Sequence, residues 1–268
     1  MQTISLLNLS TVLSDQAVST ATRDLQTQVK RDFASAWAVE ADLQFCPRKG
    51  DPPKPGSWWL VVLDDADQAS AVGYHDLTVE GLPLGKIFAR TDTESGHNWT
   101  VTASHELLEM LADPWMDRCC LNIGMDSCQI LACEVCDPCE DDGYGYVIGN
   151  TLVSDFILPT WFDAKSPGSR FDFCGHMKGP LQILAGGYIG SYDFKTGWTQ
   201  LRTPNASKQF ESGMILPRQD SIPFGARRER RVRKDMGAPL LRSGEPIELP
   251  SAPDWMATAR AITLNGRP

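Results

Sequence analysis

One histidine and two glutamates stand close together in TASHELLEML, residues 102–111. The apolar residues between them predict an amphipathic helix, on which His105 and Glu109, at positions i and i+4, lie on one face. Both side chains can therefore reach one metal ion, while Glu106, rotated about 100° around the axis, would lie beside that ion. A carboxylate placed there can take a proton from a metal-bound water. The pattern predicts a metal helix; the alternative is an exposed glutamate face with a histidine at the edge of the core.

Hydrophobic spacing predicts the elements that precede this helix. Apolar residues recur every three or four positions over 14–37, which predicts a long helix with one buried face. WWLVVL (58–63) predicts a buried strand, and LPLGKIFA (82–89) predicts another after AVGYHD (71–76). The metal helix follows over 100–112. His75, within AVGYHD, is predicted to bond locally rather than to bind an ion.

Strand signals dominate the region after the metal helix. ILACEV (130–135), YVIGNTLVSDFIL (146–158) and GGYIGSYDF (186–194) each predict strand structure. Gly149-Asn150 predicts a hairpin turn inside the second of these segments.

Composition changes near residue 204. Eight of the eighteen prolines lie from Pro204 onward, together with RRERRVRK (227–234), in which six of eight residues are basic. The sequence therefore predicts one α/β domain over 1–204 and an extended or partly disordered C-terminal tail over 205–268. The basic cluster is predicted to be a solvated segment, with a nucleic-acid or partner contact as the alternative.

The overall composition excludes several classes of protein. A net charge of −9 argues against nucleic acid as a general partner, because phosphates would be repelled. No apolar run approaches the ~20 residues of a membrane span, and the N-terminus lacks the basic region of a signal peptide, so a cytoplasmic location is predicted. No Gly-rich phosphate loop, nucleophile elbow or dinucleotide fingerprint occurs.

The order of these elements resembles that of the zincin metallopeptidases. The blocks SHELLEMLADP, EVCDP and VSDFILPTWFD, followed by GGY, are also similar to a set of bacterial and phage proteins of zincin type, over roughly residues 71–200. The resemblance implies an α/β (α+β) zincin-like domain with a mixed sheet. In zincins an edge strand just before the metal helix pairs with an extended peptide, and 82–89 is predicted to be that strand. The phage members imply a virion-associated location as an alternative.

The resemblance also implies roles for particular residues. Zincins of the gluzincin type take a third ligand, a glutamate, from a later segment, and an acidic residue a few positions on orients the histidine. Glu134 and Asp137 resemble that pair. Asp113 is a poorer third ligand, because i and i+8 lie ~12 Å apart along a helix. The implied function is hydrolysis of peptide bonds, with His105, Glu109 and Glu134 holding the ion and Glu106 acting as general base and then proton donor.

Glu109 stands where these peptidases usually carry a second histidine. Two carboxylates and one neutral imidazole leave a divalent ion without net charge, which lowers the pKa of its bound water less effectively. Zn²⁺ is the predicted ion and Mn²⁺, which prefers oxygen ligands, is the alternative. A zincin-fold protein that binds a peptide or partner with weak or lost catalysis is the corresponding alternative function.

A peptidase also needs a donor to the oxyanion of its transition state. The candidates, chosen by residue type and downstream position, are Tyr144, Tyr146, His176 and Tyr188.

Cysteines surround the proposed third ligand. Six of the eight fall within residues 119–139, and Cys133, Cys136 and Cys139 interleave with Glu134. Three interpretations stay open: a structural zinc site, disulfides, or reduced thiols packed as small hydrophobes. The first of these interpretations implies another alternative function besides the peptide-binding protein, namely a cysteine-zinc interaction module in which His105 has no role.

Overall fold

The computed structural model describes residues 1–68, 71–78, 80–123, 128–163, 165, 168, 170–194, 197–203, 214–216 and 230–232. The strands are β1 (Gln2–Asn8), β2 (Ala41–Cys46), β3 (Trp58–Leu63), β4 (Ala71–Leu77), β5 (Pro83–Phe88), β6 (Cys119–Ile123), β7 (Cys128–Ala132), β8 (Tyr146–Ile148), β9 (Thr151–Val153), β10 (Tyr188–Asp193), β11 (Gly197–Arg202), β12 (Met214–Leu216) and β13 (Arg230–Val232). The helices are α1 (Asp15–Thr27), α2 (Ala34–Trp37), α3 (Ala89–Glu94) and α4 (Trp99–Ala112); a π-helical turn, Gln28–Phe33, joins α1 to α2.

A mixed six-stranded sheet forms the frame of the molecule, in the order β13-β4-β5-β3-β1-β2. β1, β2, β3 and β5 run parallel, whereas β4 and β13 are antiparallel to their neighbours. The predicted combination of helices with a mixed sheet is confirmed. Neither β1 nor β2 was predicted from the sequence.

The segment 82–89 forms a strand, but the prediction that this strand lies at the edge of the sheet is wrong. β5 lies inside the sheet, because it pairs with β3 along one side and with β4 along the other. A tight turn returns the chain from β4 to β5, with the amide of Thr78 donating to the carbonyl of Leu82 at 2.7 Å. β4 therefore lies outside β5, and its far side pairs with β13 from the C-terminal part of the chain.

Alternating side chains divide the core into two layers, as the pleat of a strand requires. Along β3, Leu60 and Val62 belong to the larger cluster that includes α1 and α4, while Val61 and Leu63 belong to the cluster on the opposite face. The predicted metal helix corresponds to α4, which packs against β5, β4 and β9. It is buried on nearly all sides, so its polar residues face other protein groups.

The π-helical turn has a cause in the sequence. Leu25, Val29, Phe33 and Trp37 recur every four residues, and each such step drifts about 40° around a regular α-helix. A wider turn corrects the drift and keeps these residues facing the core. It also buries Gln28, whose amide group donates to the carbonyl of Ser154 at 2.9 Å.

A second sheet follows α4, in the antiparallel order β12-β11-β10-β7-β6. The predicted strand at 130–135 ends early, because β7 stops at Ala132. The predicted hairpin is confirmed, with β8 and β9 paired on either side of Gly149-Asn150.

Most of the predicted C-terminal tail lies outside the described residues. The parts that are described, β12 and β13, extend the two sheets at their edges. In the described parts of the chain, no helix has the length and apolar character needed to cross a bilayer.

Replacement of Ser104 by alanine tests how firmly α4 is held. The Ser104 hydroxyl donates to Gln28 Oε1 at 2.7 Å and accepts from the Ser154 amide at 3.0 Å, so the variant leaves two buried groups without that partner. We expect unfolding in urea to show a loss of about 1–3 kcal/mol. Thr27→Ala is the matched control, because its hydroxyl bonds a carbonyl on the exposed side of α1. Equal stability of the two variants would contradict the role given to this network.

Candidate metal centre

Six ionisable side chains from three segments converge beside α4. Five of them expose none of their surface and the sixth, on β4, exposes 1%. They are His75, His105, Glu106, Glu109, Glu134 and Asp137. The structure thus brings together the residues that the sequence analysis named as glutamate and histidine ligands, as base and as orienting carboxylate, and it adds His75.

Glu109 lies at the middle of this cluster. Its Oε1 accepts hydrogen bonds from the backbone amides of Cys136 and Asp137, at 3.1 and 3.2 Å. Its Oε2 lies 3.1 Å from His105 Nε2, one turn earlier on α4, and 3.7 Å from His75 Nδ1. The carboxylate therefore fixes the later segment to the helix with one oxygen and faces both imidazoles with the other.

The segment that carries Glu134 is held at several points. Beyond the two amide bonds to Glu109, the carbonyl of Val135 accepts from the amide of Ile157 at 2.7 Å. These bonds place Glu134 with its Oε2 3.7 Å from His75 Nε2. His75, Glu109 and Glu134 offer ligand atoms that all lie within 4.8 Å of one another.

The local role predicted for His75 is wrong. On β4 the side chains alternate between the two faces of the sheet, and His75 takes the face covered by α4. Its Nδ1 lies 3.5 Å from Glu106 Oε2, so its partners come from α4 and the Glu134 segment. The signal was available in AVGYHD, because a polar residue at an inward position of a buried strand needs polar partners.

Asp137 occupies a different side of His105 from the one predicted. An orienting carboxylate should bind the imidazole nitrogen that points away from the ion. Here Asp137 Oδ1 lies 3.2 Å from His105 Nε2, the same nitrogen that faces Glu109. This geometry places Asp137 among the groups that could bind an ion directly.

The donor groups fit a divalent cation by distance. An ion about 2.1 Å from each of four tetrahedral ligands holds neighbouring ligand atoms about 3.4 Å apart. The separations from Glu109 Oε2 to His105 Nε2 and His75 Nδ1, 3.1 and 3.7 Å, bracket that value. Because both nitrogens of His75 face carboxylates, one can bind an ion while the other donates to a neighbour.

The donor groups also fit by charge. Four carboxyl groups and two imidazoles share one buried cluster, and ionised carboxylates are costly to bury without compensation. A divalent cation at their centre would offset that excess of negative charge.

The cysteines divide among different neighbours. Cys136 lies with His105 and Glu109, where burial and the Glu109 carboxylate raise the pKa of its thiol. Cys133 shares a hydrogen bond with Cys120 across the β6–β7 hairpin, which raises its pKa. In the part of the chain that the structure describes, no group of ligand atoms unites Cys133, Cys136 and Cys139, and the seven cysteines whose side chains are described are free thiols.

The predicted oxyanion donors are engaged elsewhere. The Tyr146 hydroxyl donates to Asp32 Oδ2 at 2.8 Å. Tyr144 and His176 pack ring against ring, with centroids 5.3 Å apart. Tyr188 is buried beneath the guanidinium group of Arg202.

Comparison with known proteins gives no relative from which a role could be transferred. No family model, no curated protein and no solved structure matches this chain.

Gly73→Ala tests the close approach of β4 to α4. A methyl group at Gly73 would lie 2.5 Å from Thr102 Cγ2 and 2.8 Å from Glu106 Oε1. We expect a loss of about 1–3 kcal/mol in urea unfolding, because the helix and strand must move apart. We also expect weaker zinc binding in a competition titration.

Gly179→Ala is its control, because the added methyl group meets nothing within 4 Å. Gly73→Ala protein that matches this control in both measurements would contradict the described packing.

Proposed function

We propose that this chain is a metal-dependent peptidase of zincin type that cleaves extended peptides. One observation carries the proposal: two histidines and three glutamates converge in a buried cluster between β4 and α4. These residues are His75, His105, Glu106, Glu109 and Glu134. Structural ion pairs alone seldom need so many buried carboxylates around two imidazoles. The mixed sheet with an antiparallel strand beside the metal helix agrees with the resemblance to zincins.

His75, His105, Glu109 and Glu134 would hold the ion, with Asp137 as a further oxygen donor. A bound Zn²⁺ supplies an acidified water and polarises a carbonyl oxygen. Mn²⁺ is the alternative ion.

Glu106 would move the proton in this reaction. Glu106 Oε2 lies 3.5 Å from His75 Nδ1, and the Glu106 carboxylate also lies close to the backbone of β4 at Gly73. It can accept a proton on the metal side and deliver it to the leaving amine of a peptide that runs along β4.

β4 replaces 82–89 as the strand that would receive the peptide. The backbone of β13 already pairs with it, opposing Arg230 to Tyr74 and Arg231 to Gly73. An extended segment can therefore bind this edge, within one or two residues of His75. The side chains of the cluster are closed to solvent, and β13 occupies the edge of β4, so a peptide substrate would have to displace β13.

Elemental analysis of metal-loaded protein tests the ligand set. We expect both His75→Ala and Glu134→Ala to lose one zinc ion per chain relative to the wild type, because each removes a donor from the same centre. Glu94→Ala, at an exposed glutamate on α3, is the control and should keep the full zinc count. An unchanged count in both ligand variants would show that no ion binds here.

Glu106→Gln tests catalysis separately from binding. We expect turnover of a quenched peptide library to fall by about 10²–10⁴-fold with zinc retained, because glutamine cannot accept the proton. Glu94→Gln, at an exposed glutamate on α3, should keep full activity. Wild-type protein that binds peptide without cleaving it at any metal loading would favour the binding protein instead.

Arg231→Pro tests whether β13 blocks the site. Proline lacks the amide hydrogen and disrupts strand pairing, so the tail should leave β4 more often. We expect the initial rate with added peptide to rise about fivefold to tenfold, equivalent to the loss of about one hydrogen bond. Arg242→Pro, elsewhere in the tail, is the control. Equal rates for the two variants would show that β13 does not compete with substrate.

A further inference from the structure

A second cluster of metal-binding side chains lies away from α4. Asp155 follows β9, and Cys174 and His176 lie on the loop 170–177. One carboxylate oxygen, the sulfur and one imidazole nitrogen all lie within 4.8 Å of one another. Asp155 is fully buried, Cys174 is half-buried and His176 is exposed, so the cluster opens to solvent on its histidine side.

Two carboxylates hold the loop in position. Asp155 Oδ1 accepts from the amide of Cys174 at 3.0 Å, which brings the thiol next to the carboxylate. Asp172 Oδ2 accepts from the amide of His176 at 2.7 Å. The amide of Phe173 donates to the carbonyl of Phe156 at 2.8 Å, which ties the loop to the segment after β9. The three donor groups are therefore positioned by backbone contacts before any ion binds.

The second oxygen of Asp155 points to a ligand. Oδ2 is completely buried and accepts no hydrogen bond from a backbone amide or a basic side chain that the structure describes. The Asp172 carboxyl group lies close enough to share a hydrogen bond with the Asp155 carboxyl group, a position that a cation could take instead of the shared proton. The nearby cation, Arg170, is exposed and donates to the carbonyl of Phe173. Buried carboxylate oxygens normally have a partner, and a cation between these groups would provide one.

We propose that Asp155, Cys174 and His176 form a second metal site, which binds Zn²⁺ or a similar ion that accepts sulfur, nitrogen and oxygen ligands. A thiolate, an imidazole and a carboxylate are the usual protein ligands of zinc. His176 Nε2 lies 3.3 Å from the carbonyl of Tyr144, so this nitrogen can donate there while Nδ1 binds the ion. Water can take the fourth position on the solvent side.

An ion at this second site would fasten the loop 170–177 to the segment after β9. No residue of the site belongs to the centre beside α4, so the proposal does not depend on peptidase activity. The histidine that the sequence suggested as an oxyanion donor becomes a ligand.

Metal analysis of the full chain separates the two sites. After loading with Zn²⁺ and removal of free ion, we expect two ions per wild-type chain. Cys174→Ser and His176→Ala should each lose one ion and keep the ion that Glu134→Ala loses. A wild-type count of zero, or an unchanged count in both Cys174→Ser and His176→Ala, would overturn the second site.

Co²⁺ loading identifies the sulfur ligand. A thiolate bound to Co²⁺ gives a charge-transfer band in the near ultraviolet, which should disappear in Cys174→Ser. The band should persist in Cys136→Ser, whose thiol lies near the first centre, and in Cys119→Ser, an exposed cysteine. Loss of the band in Cys136→Ser with retention in Cys174→Ser would overturn the assignment.

His176→Ala keeps the proposal testable if Cys174→Ser fails to fold, because it changes an exposed side chain. A normal unfolding curve with one ion lost would support the site. A normal curve with no ion lost would refute it.

Discussion

The carboxylate of Glu109 connects three parts of the chain that are distant in sequence. One oxygen accepts the amides of Cys136 and Asp137, and the other faces His105 and His75. A neutral histidine has a single acceptor nitrogen and could not accept both amides while facing the same groups. Glu109 is therefore the residue that fixes the Glu134 segment to α4. In the proposed peptidase, the same residue would also be a metal ligand.

The approach of β4 to α4 is the second condition for the centre. His75 reaches the cluster only because Gly73, on the same face of the strand, leaves room for Thr102 and Glu106. The same strand has a side that accepts backbone pairing, which β13 uses. In the proposed peptidase, one strand would thus supply a metal-binding side chain through its face and a peptide-binding surface through its edge. These two roles do not interfere with each other, because the side chains and the backbone hydrogen bonds of a strand point in perpendicular directions.

His75 changes the expected chemistry of the ion. One histidine with two glutamates would favour hard ions such as Mn²⁺. A second imidazole gives two nitrogen and two oxygen donors, which suits Zn²⁺ better and adds no charge while it remains neutral. Glu106 and Asp137 add negative charge around the same centre, which would restrain the acidity of a bound water. The balance between these effects depends on which carboxylates contact the ion.

The sequence by itself determined several of the elements and half of the centre. Helical spacing placed His105 and Glu109 on one face and Glu106 beside them, because residues four apart on a helix are neighbours wherever that helix lies. The apolar runs at 58–63 and 186–194 and the Gly149-Asn150 turn likewise depend on local preferences. Tertiary structure alone decided that β5 lies inside the sheet, that β4 carries His75 to the cluster, and that Asp137 faces the same nitrogen of His105 as Glu109 does. Strand order and the meeting of distant segments come from burial and pairing between residues far apart in the chain, which no local pattern of spacing encodes.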